Sequence, residues 1–180
     1  MVDGTLLGLV RDGGFIDGDH DIDLGMWIDD YNDQLICDLL SAGFDSIYTF
    51  GTFDDGWQLS FFDDEIMIDL MFYYRHDKGA WSAAYYGDLQ LRAQHDRFDL
   101  EPTTFLGIDV LVPSPPEQYL AKVYGKNWRL PVRTWDYRFA QQNNTTVKGA
   151  WDKCIKHKVD RFIWRYKNRD IHVRPDPHIN

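Results

Sequence analysis

Long apolar runs, cysteines and, over most of the chain, positive charge are what this sequence lacks. No stretch of the 180 residues is long and apolar enough to cross a bilayer, and no charged-then-apolar leader opens at Met1. The expectation is a cytoplasmic protein without a transmembrane segment, membrane-peripheral at most. Two cysteines, Cys37 and Cys154, lie far apart and form no CxxC pair, which argues against a cysteine zinc site and for a reducing compartment. The six histidines show no HExxH or other ligand spacing.

Basic residues are scarce where the chain is richest in carboxylates. Residues 1–110 carry 5 Lys+Arg against 23 Asp+Glu, residues 111–147 carry 5 against 2, and residues 148–180 carry 9 against 4, for a net charge of −10. That balance argues against general nucleic-acid binding, whose affinity comes largely from basic side chains on phosphates. An acidic body with a basic C-terminal third suits the handling of an anionic substrate, although solvated faces of opposite sign produce the same pattern.

What is present is enough to fold. Hydrophobic residues make up 44% and aromatics 16%, so the chain reads as one globular domain over residues 1–180, with a basic helical part from about residue 148. The densest chemistry lies between Gly4 and Gly25. Gly4 and Thr5 form a small, hydroxyl-bearing turn at the head of a short helix, suited to presenting N–H groups and a hydroxyl to phosphate, and Arg11 adds a donor. Then comes His20-Asp21-Ile22-Asp23-Leu24. In a strand Asp21 and Asp23 share one face while Ile22 and Leu24 enter a core. Two such carboxylates can share a hard cation, magnesium or manganese. Asp17 and Asp19 read as turn residues beside Gly18 or as outer members of the cluster, and alternation turns His20 away from it.

Along the chain, a helix over Thr5 to Asp12 stops at Gly13-Gly14, and a strand runs from Asp19 to Trp27. Asp29 and Asp30 stand where the N-cap of a second helix belongs, with Leu35, Ile36, Leu39 and Leu40 as its stripe and Cys37 as inert packing. Ile47–Phe53, Trp57–Phe62 and Glu65–Tyr73 read as an antiparallel meander. In the last strand Asp69 is a lone carboxylate among apolar residues, which burial makes costly unless it is paired or metal-bound, and it is the natural third partner of Asp21 and Asp23. From Arg75 to Glu101 no clean period emerges, and the reading is loops with one or two strands, notably Tyr85–Ala93. Ile108–Val112 reads as a strand, Glu117–Tyr124 as a helix closed by Gly125, and Lys148–Asn168 as a long basic helix. Lys126 and Arg129 either end a helix or sit over a phosphate. Trp81–Tyr86 offers rings for a choline cage or a sugar, though packing uses rings equally well.

Two familiar ion and nucleotide loops do not fit. Starting a calcium loop at Asp17 puts its glycine position on Ile22 and its terminal glutamate on Ile28. Gly4 to Gly8 lacks the G-x-G-x-x-G spacing, and no Walker lysine follows.

Gly4-Thr5-Leu6-Leu7-Gly8-Leu9-Val10-Arg11, Gly14-Phe15-Ile16, Asp19-His20-Asp21-Ile22-Asp23-Leu24-Gly25-Met26 and the late Tyr124-Gly125 with Trp128 and Pro131 together resemble the LicD/fukutin family of the nucleotidyltransferase superfamily. The resemblance runs from about Gly4 to about Pro131. It implies an α/β (α+β), polymerase-β-like nucleotidyltransferase fold, with a mixed, mainly antiparallel sheet flanked by helices. It implies a catalytic magnesium or manganese ion on Asp21, Asp23 and Asp69, and a CDP-activated alcohol donor near Gly4, Thr5 and Arg11, with Lys126 and Arg129 over phosphate. The implied reaction moves phosphocholine or a polyol phosphate onto a sugar hydroxyl of a glycan or glycolipid. Alternatives are a nucleotidyltransferase adding NMP from an NTP to a small hydroxylated acceptor such as an aminoglycoside, and an inactive nucleotide-binding module. Family members usually carry a helix and a strand ahead of the Gly-Thr turn, so the chain is expected to be either a minimal member or a piece of a longer, Golgi-anchored protein.

Overall fold

Strand-period alternation of apolar and polar residues organises the molecule around two parallel neighbours, β1 (Asp21–Trp27) and β4 (Ile66–His76). On β1, Leu24 and Met26 pack into one hydrophobic cluster, and on β4 Ile68, Leu70, Phe72 and Tyr74 join it. Met71 and Tyr73 face the other way, into a second cluster. Asp21, Asp23 and Asp69 share that second face, as the alternation in the sequence predicts. The structure, a computed structural model, describes residues 1–44, 46–63, 66–86, 89–132, 136, 140–147 and 157–158.

The remaining elements cover these two faces. A helix α1 (Asp3–Asp12) ends at Gly13, whose φ of 74° gives the left-handed cap. After β1 come a 3-10 turn (Ile28–Asp30), α2 (Gln34–Ser41), β2 (Ser46–Thr52) and β3 (Asp55–Asp63). Beyond β4 follow β5 (Gly79–Tyr86), β6 (Leu89–Asp96), β7 (Asp99–Phe105), β8 (Ile108–Ser114), α3 (Pro116–Tyr124), β9 (Asn144–Val147) and the two-residue β10 (His157–Lys158). The main sheet has the order β10-β2-β3-β4-β5-β6-β9, with β1 parallel to β4, and β7-β8 form a separate ribbon. The architecture is thus mixed α/β with a mainly antiparallel sheet. α1 and α3 pack on the Met71–Tyr73 face through Leu6, Leu7, Tyr119, Leu120 and Val123. α2 packs on the opposite face through Ile36, beside the fully buried Leu59, Phe61 and Phe72.

β4 is long enough to serve three partners. Its first part pairs with β1 and β3, and its end, Tyr74–His76, pairs with β5. The sheet curls, so the tip of the β2–β3 hairpin lands on β5 and β6: the Tyr85 hydroxyl donates to Gly56 O at 2.7 Å. A Cβ on Gly56 would stand 2.6 Å from that of Ala83. The concave side of this curl faces α1 and α3.

Several expectations need correction. Asp29 and Asp30 lie in the 3-10 turn, and α2 starts only at Gln34, whose N–H is accepted by Asn32 Oδ1 at 3.0 Å. The Tyr85–Ala93 strand is two strands, β5 and β6, and the stretch from Arg75 to Glu101 is chiefly sheet. β7 and β9 join the expected elements. The basic helix of Lys148–Asn168 falls outside the described residues apart from His157 and Lys158, which extend antiparallel to β2. Among the described residues no helix is long and apolar enough to cross a membrane.

Candidate active site

Register brings the three carboxylates together. Asp23 sits beside Asp69 in the parallel β1–β4 pair, and Ser60 of β3 flanks Asp69 from the other side. Asp21 is one side-chain repeat earlier on β1. Carboxylate oxygens of Asp21, Asp23 and Asp69 lie within 4.8 Å of one another. Ser60 Oγ donates to Asp69 Oδ1. No ion pair among the described residues reaches the three carboxylates. A trio of oxygen ligands gathered without a basic partner is a donor set that suits a hard divalent cation.

Protonation reflects the crowding. Burial, then hydrogen bonding and repulsion from Asp19, then repulsion from Asp69, raise Asp21 to a pKa of about 7. Burial, with repulsion from Asp3, Asp21 and Asp69, pushes Asp23 well above the usual carboxylate range, against the Gly4 N–H that favours its charge. Asp69 is also raised, chiefly by burial, and the Ser60 and Gln58 hydrogen bonds oppose the shift. Like charges held this close favour the neutral form unless a cation joins them.

The Gly-Thr segment has a more structural task than a phosphate turn. Gly4 lies in the first turn of α1, and its N–H donates to Asp23 Oδ2 at 2.8 Å. Thr5 is 1% exposed, and its Oγ1 accepts the Asp23 N–H at 2.8 Å. Both therefore lock the head of α1 to β1. A Cβ at Gly4 would stand 2.9 Å from Asp23 Oδ2, so only glycine leaves the carboxylate in place. Gly8 is tighter still, since a Cβ would meet Gly14 O at 2.5 Å. Two residues of the G-T-L-L-G motif thus keep α1, β1 and their connection in close approach.

A cavity of about 750 Å³ opens over the carboxylates. Gly4, Arg11, Asp21, Asp23 and Asp69 line it, together with Asp17 and Asp19. Arg11 faces the cavity with its fork engaged by the neighbouring Asp12, at 2.9 and 2.7 Å. Thr5 is absent from the lining, and so are Lys126 and Arg129, which are exposed. Their neighbours Asn127 and Trp128 do line it, and the Arg129 guanidinium lies 4.0 Å over the Trp128 ring. His20 is exposed and lies outside the lining. Of the Trp81–Tyr86 rings, Trp81 is stacked on Tyr74 with Arg92 over its face, whereas Tyr85 reaches the cavity.

Sequence reasoning missed Ser60, Gln58 and Asp3. Ser60 carried a signal in its placement on the polar face of a strand next to Asp69. Asp3 accepts from the Tyr119 hydroxyl at 3.1 Å, and Tyr119 is 2.6 Å from the Tyr73 hydroxyl. Burial raises Asp3 to a pKa of about 6. Nothing in the spacing of Asp3, Tyr73 and Tyr119 marks them as partners.

Comparison with known proteins places this geometry in context. The LicD/FKTN/FKRP nucleotidyltransferase-domain profile matches residues 1–115. The ribitol-5-phosphate transferase FKTN of Homo sapiens is 31% identical over 160 residues, 85% of this chain and 35% of that protein. The Mus musculus protein of the same name is 32% identical over 164 residues, again 85% of this chain and 35% of its own length. A Caenorhabditis elegans protein of unassigned function is 28% identical over 172 residues, 88% of this chain and 45% of its own. The chain therefore spans about a third of the length of the FKTN relatives it matches.

Proposed function

The chain belongs to the LicD/FKTN/FKRP nucleotidyltransferase-domain family, and from that premise we propose that it transfers a substituted phosphate from a CDP-activated alcohol to a sugar hydroxyl of a glycan. The name of the FKTN relatives makes ribitol 5-phosphate the first group to test. The observation that carries the reading is the convergence of Asp21, Asp23 and Asp69 within 4.8 Å at the floor of a cavity. The reading includes a polymerase-β-like arrangement of sheet and helices, to which the parallel β1–β4 pair under α1 is suited.

Asp21, Asp23 and Asp69 would hold magnesium or manganese, which when bound neutralises pyrophosphate charge. Gly4 and Thr5 hold Asp23 in place through its carboxylate and its N–H. Arg11 stands on the α1 side, where its remaining N–H donors meet donor phosphate. The acceptor oxygen forms a bond to the β-phosphorus, the bond from that phosphorus to the bridging oxygen breaks, and CMP leaves. The hydroxyl proton passes to Asp69, whose second neighbour Ser60 steadies the carboxylate.

The test is CMP release from CDP-ribitol by the 180-residue chain with magnesium or manganese, beside Asp21→Asn and Asp23→Asn. Metal-dependent CMP release, lost in both variants while their folding transitions persist, is the expected result. Addition of NMP from an NTP with release of pyrophosphate, read by product mass, would establish nucleotidyl transfer instead. No metal-dependent binding of any of these nucleotides would leave a nucleotide-independent module.

A further inference from the structure

Resting on that reading, we infer that the β2–β3 wall of the cavity is the acceptor subsite and that it takes an uncharged sugar ring. Register places Asp23, Asp69, Ser60 and Tyr48 side by side on β1, β4, β3 and β2. Alternation puts all four on the concave face, and Ser60 Oγ donates to Asp69 Oδ1. Two strand spacings, about 10 Å, separate Tyr48 from Asp69. The next rung carries Met71, Gln58 and Phe50.

The wall is built of rings and amides. Phe50 and Tyr85 are nearly parallel, at 13° with centroids 6.1 Å apart, and Tyr48 meets Phe62 edge to face at 5.4 Å. All four line the cavity with Gln58 and Gln141. Tyr85 is fixed from behind, because its hydroxyl donates to Gly56 O and accepts from the fully buried Gln90 at 2.8 Å. Phe50 is half-buried. A rigid ring surface with amides beside it recognises a body that has apolar faces and a polar rim, as a sugar ring does.

Direction and charge separate this subsite from the donor's. In an in-line displacement the attacking and leaving oxygens lie on opposite sides of phosphorus. With the departing CMP on the side of α1 and Arg11, the acceptor hydroxyl arrives from beyond Asp69, which is the β3 and β2 side. Among the described lining residues Arg11 is the one Lys or Arg, and it stands on α1. A uronate or phosphorylated sugar on the ring wall would find no Lys or Arg among the described lining residues there to pair with its charge, so the wall suits neutral sugars.

Saturation-transfer NMR on the 180-residue chain with CMP and magnesium tests this, using methyl glucoside, methyl galactoside, their N-acetylamino counterparts and methyl glucuronide as probes. Neutral glycosides should receive saturation at their ring protons and the glucuronide should not. Phe50→Leu, which keeps an apolar side chain but removes the ring face, should weaken the glycosides about three- to tenfold. The CMP–magnesium thermal shift should persist in that variant. Equal binding of the glucuronide, or glycoside binding unchanged in Phe50→Leu, overturns the inference. So does selective loss of CMP in that variant, which would make the wall a nucleoside site. A parent chain that shows no CMP–magnesium shift overturns the transferase reading itself, a result distinct from any of these.

Discussion

Lowering the pH in the presence of manganese tests the carboxylate cluster most directly. Burial and neighbouring carboxylates raise Asp21 from 3.8 to about 7 and raise Asp23 as well, and burial raises Asp69. A carboxylate with a raised folded pKa leaves the fold binding more protons than the unfolded chain between the two values. Metal-free stability therefore falls as pH rises from about 4 to about 7 and is lowest above that window. Metal reverses the preference, since it binds only the ionised cluster. If one proton with a pKa near 7 must leave, a drop to pH 5.5 weakens apparent affinity roughly 30-fold, about 2 kcal/mol. Manganese held at about 100 times its pH 8 dissociation constant adds about 2.7 kcal/mol of stability there and about 0.8 kcal/mol at pH 5.5. For a chain of this size that is a rise in Tm of roughly 5–11 °C at pH 8 and roughly 2–3 °C at pH 5.5. Scanning fluorimetry with and without manganese at both pH values, with EDTA as control, reads these shifts. Asp69→Asn should abolish the manganese shift at both. Equal shifts at the two pH values, or a full shift in Asp69→Asn, would refute the argument that these carboxylates form a metal-binding unit.

Three further substitutions probe the frame that holds them. Thr5→Val removes the acceptor of the Asp23 N–H, and a buried donor without a partner costs about 1–3 kcal/mol, read as a lower urea midpoint with unchanged m-value. Gly8→Ala sets a methyl 2.5 Å from Gly14 O, and the resulting overpacking should cost about 1–3 kcal/mol in the same assay. Phe72→Ala empties a site with 0% exposure under α2; the expected loss is about 3–5 kcal/mol, with the manganese shift retained at a temperature where the fold survives.

The strands that carry the carboxylates were legible because period-2 alternation is local. Ile22 and Leu24 on β1, and Ile68, Leu70 and Phe72 on β4, announce which face holds Asp21, Asp23 and Asp69. What alternation cannot supply is the pairing of β1 with β4, in which Asp23 meets Asp69 across an intervening helix and hairpin. The β5–β6 hairpin was hidden by polar residues inside it. Gln90 is 0% exposed on one face of β6 and His95 4% on the other, so the strand reads as a polar segment until Tyr85 and Ser82 are known to be their partners. The β7–β8 ribbon was obscured for the opposite reason: most of β7 is exposed and carries little burial pattern.

The G-T-L-L-G motif lies against the carboxylate cluster, where Gly4 and Thr5 bond to Asp23. A glycine and a hydroxyl at a helix head suggest groups aimed at phosphate, because backbone N–H groups there are unpaired within the helix. Here the Gly4 N–H is engaged by Asp23, and the Thr5 hydroxyl accepts from the strand behind it. The same residue types thus serve α1-to-β1 docking: glycine allows close approach to a carboxylate, and threonine satisfies a strand N–H that parallel pairing on the far side leaves open. On the proposed reading, phosphate would then be met by groups that still face the cavity, Arg11 on α1 and, through a bound cation, the carboxylates. That division makes a sharp contrast testable in one assay. Gly4→Ala, which brings a methyl to 2.9 Å from Asp23 Oδ2, should reduce the manganese shift by displacing a ligand, whereas Thr5→Ser, which keeps the acceptor, should leave it unchanged.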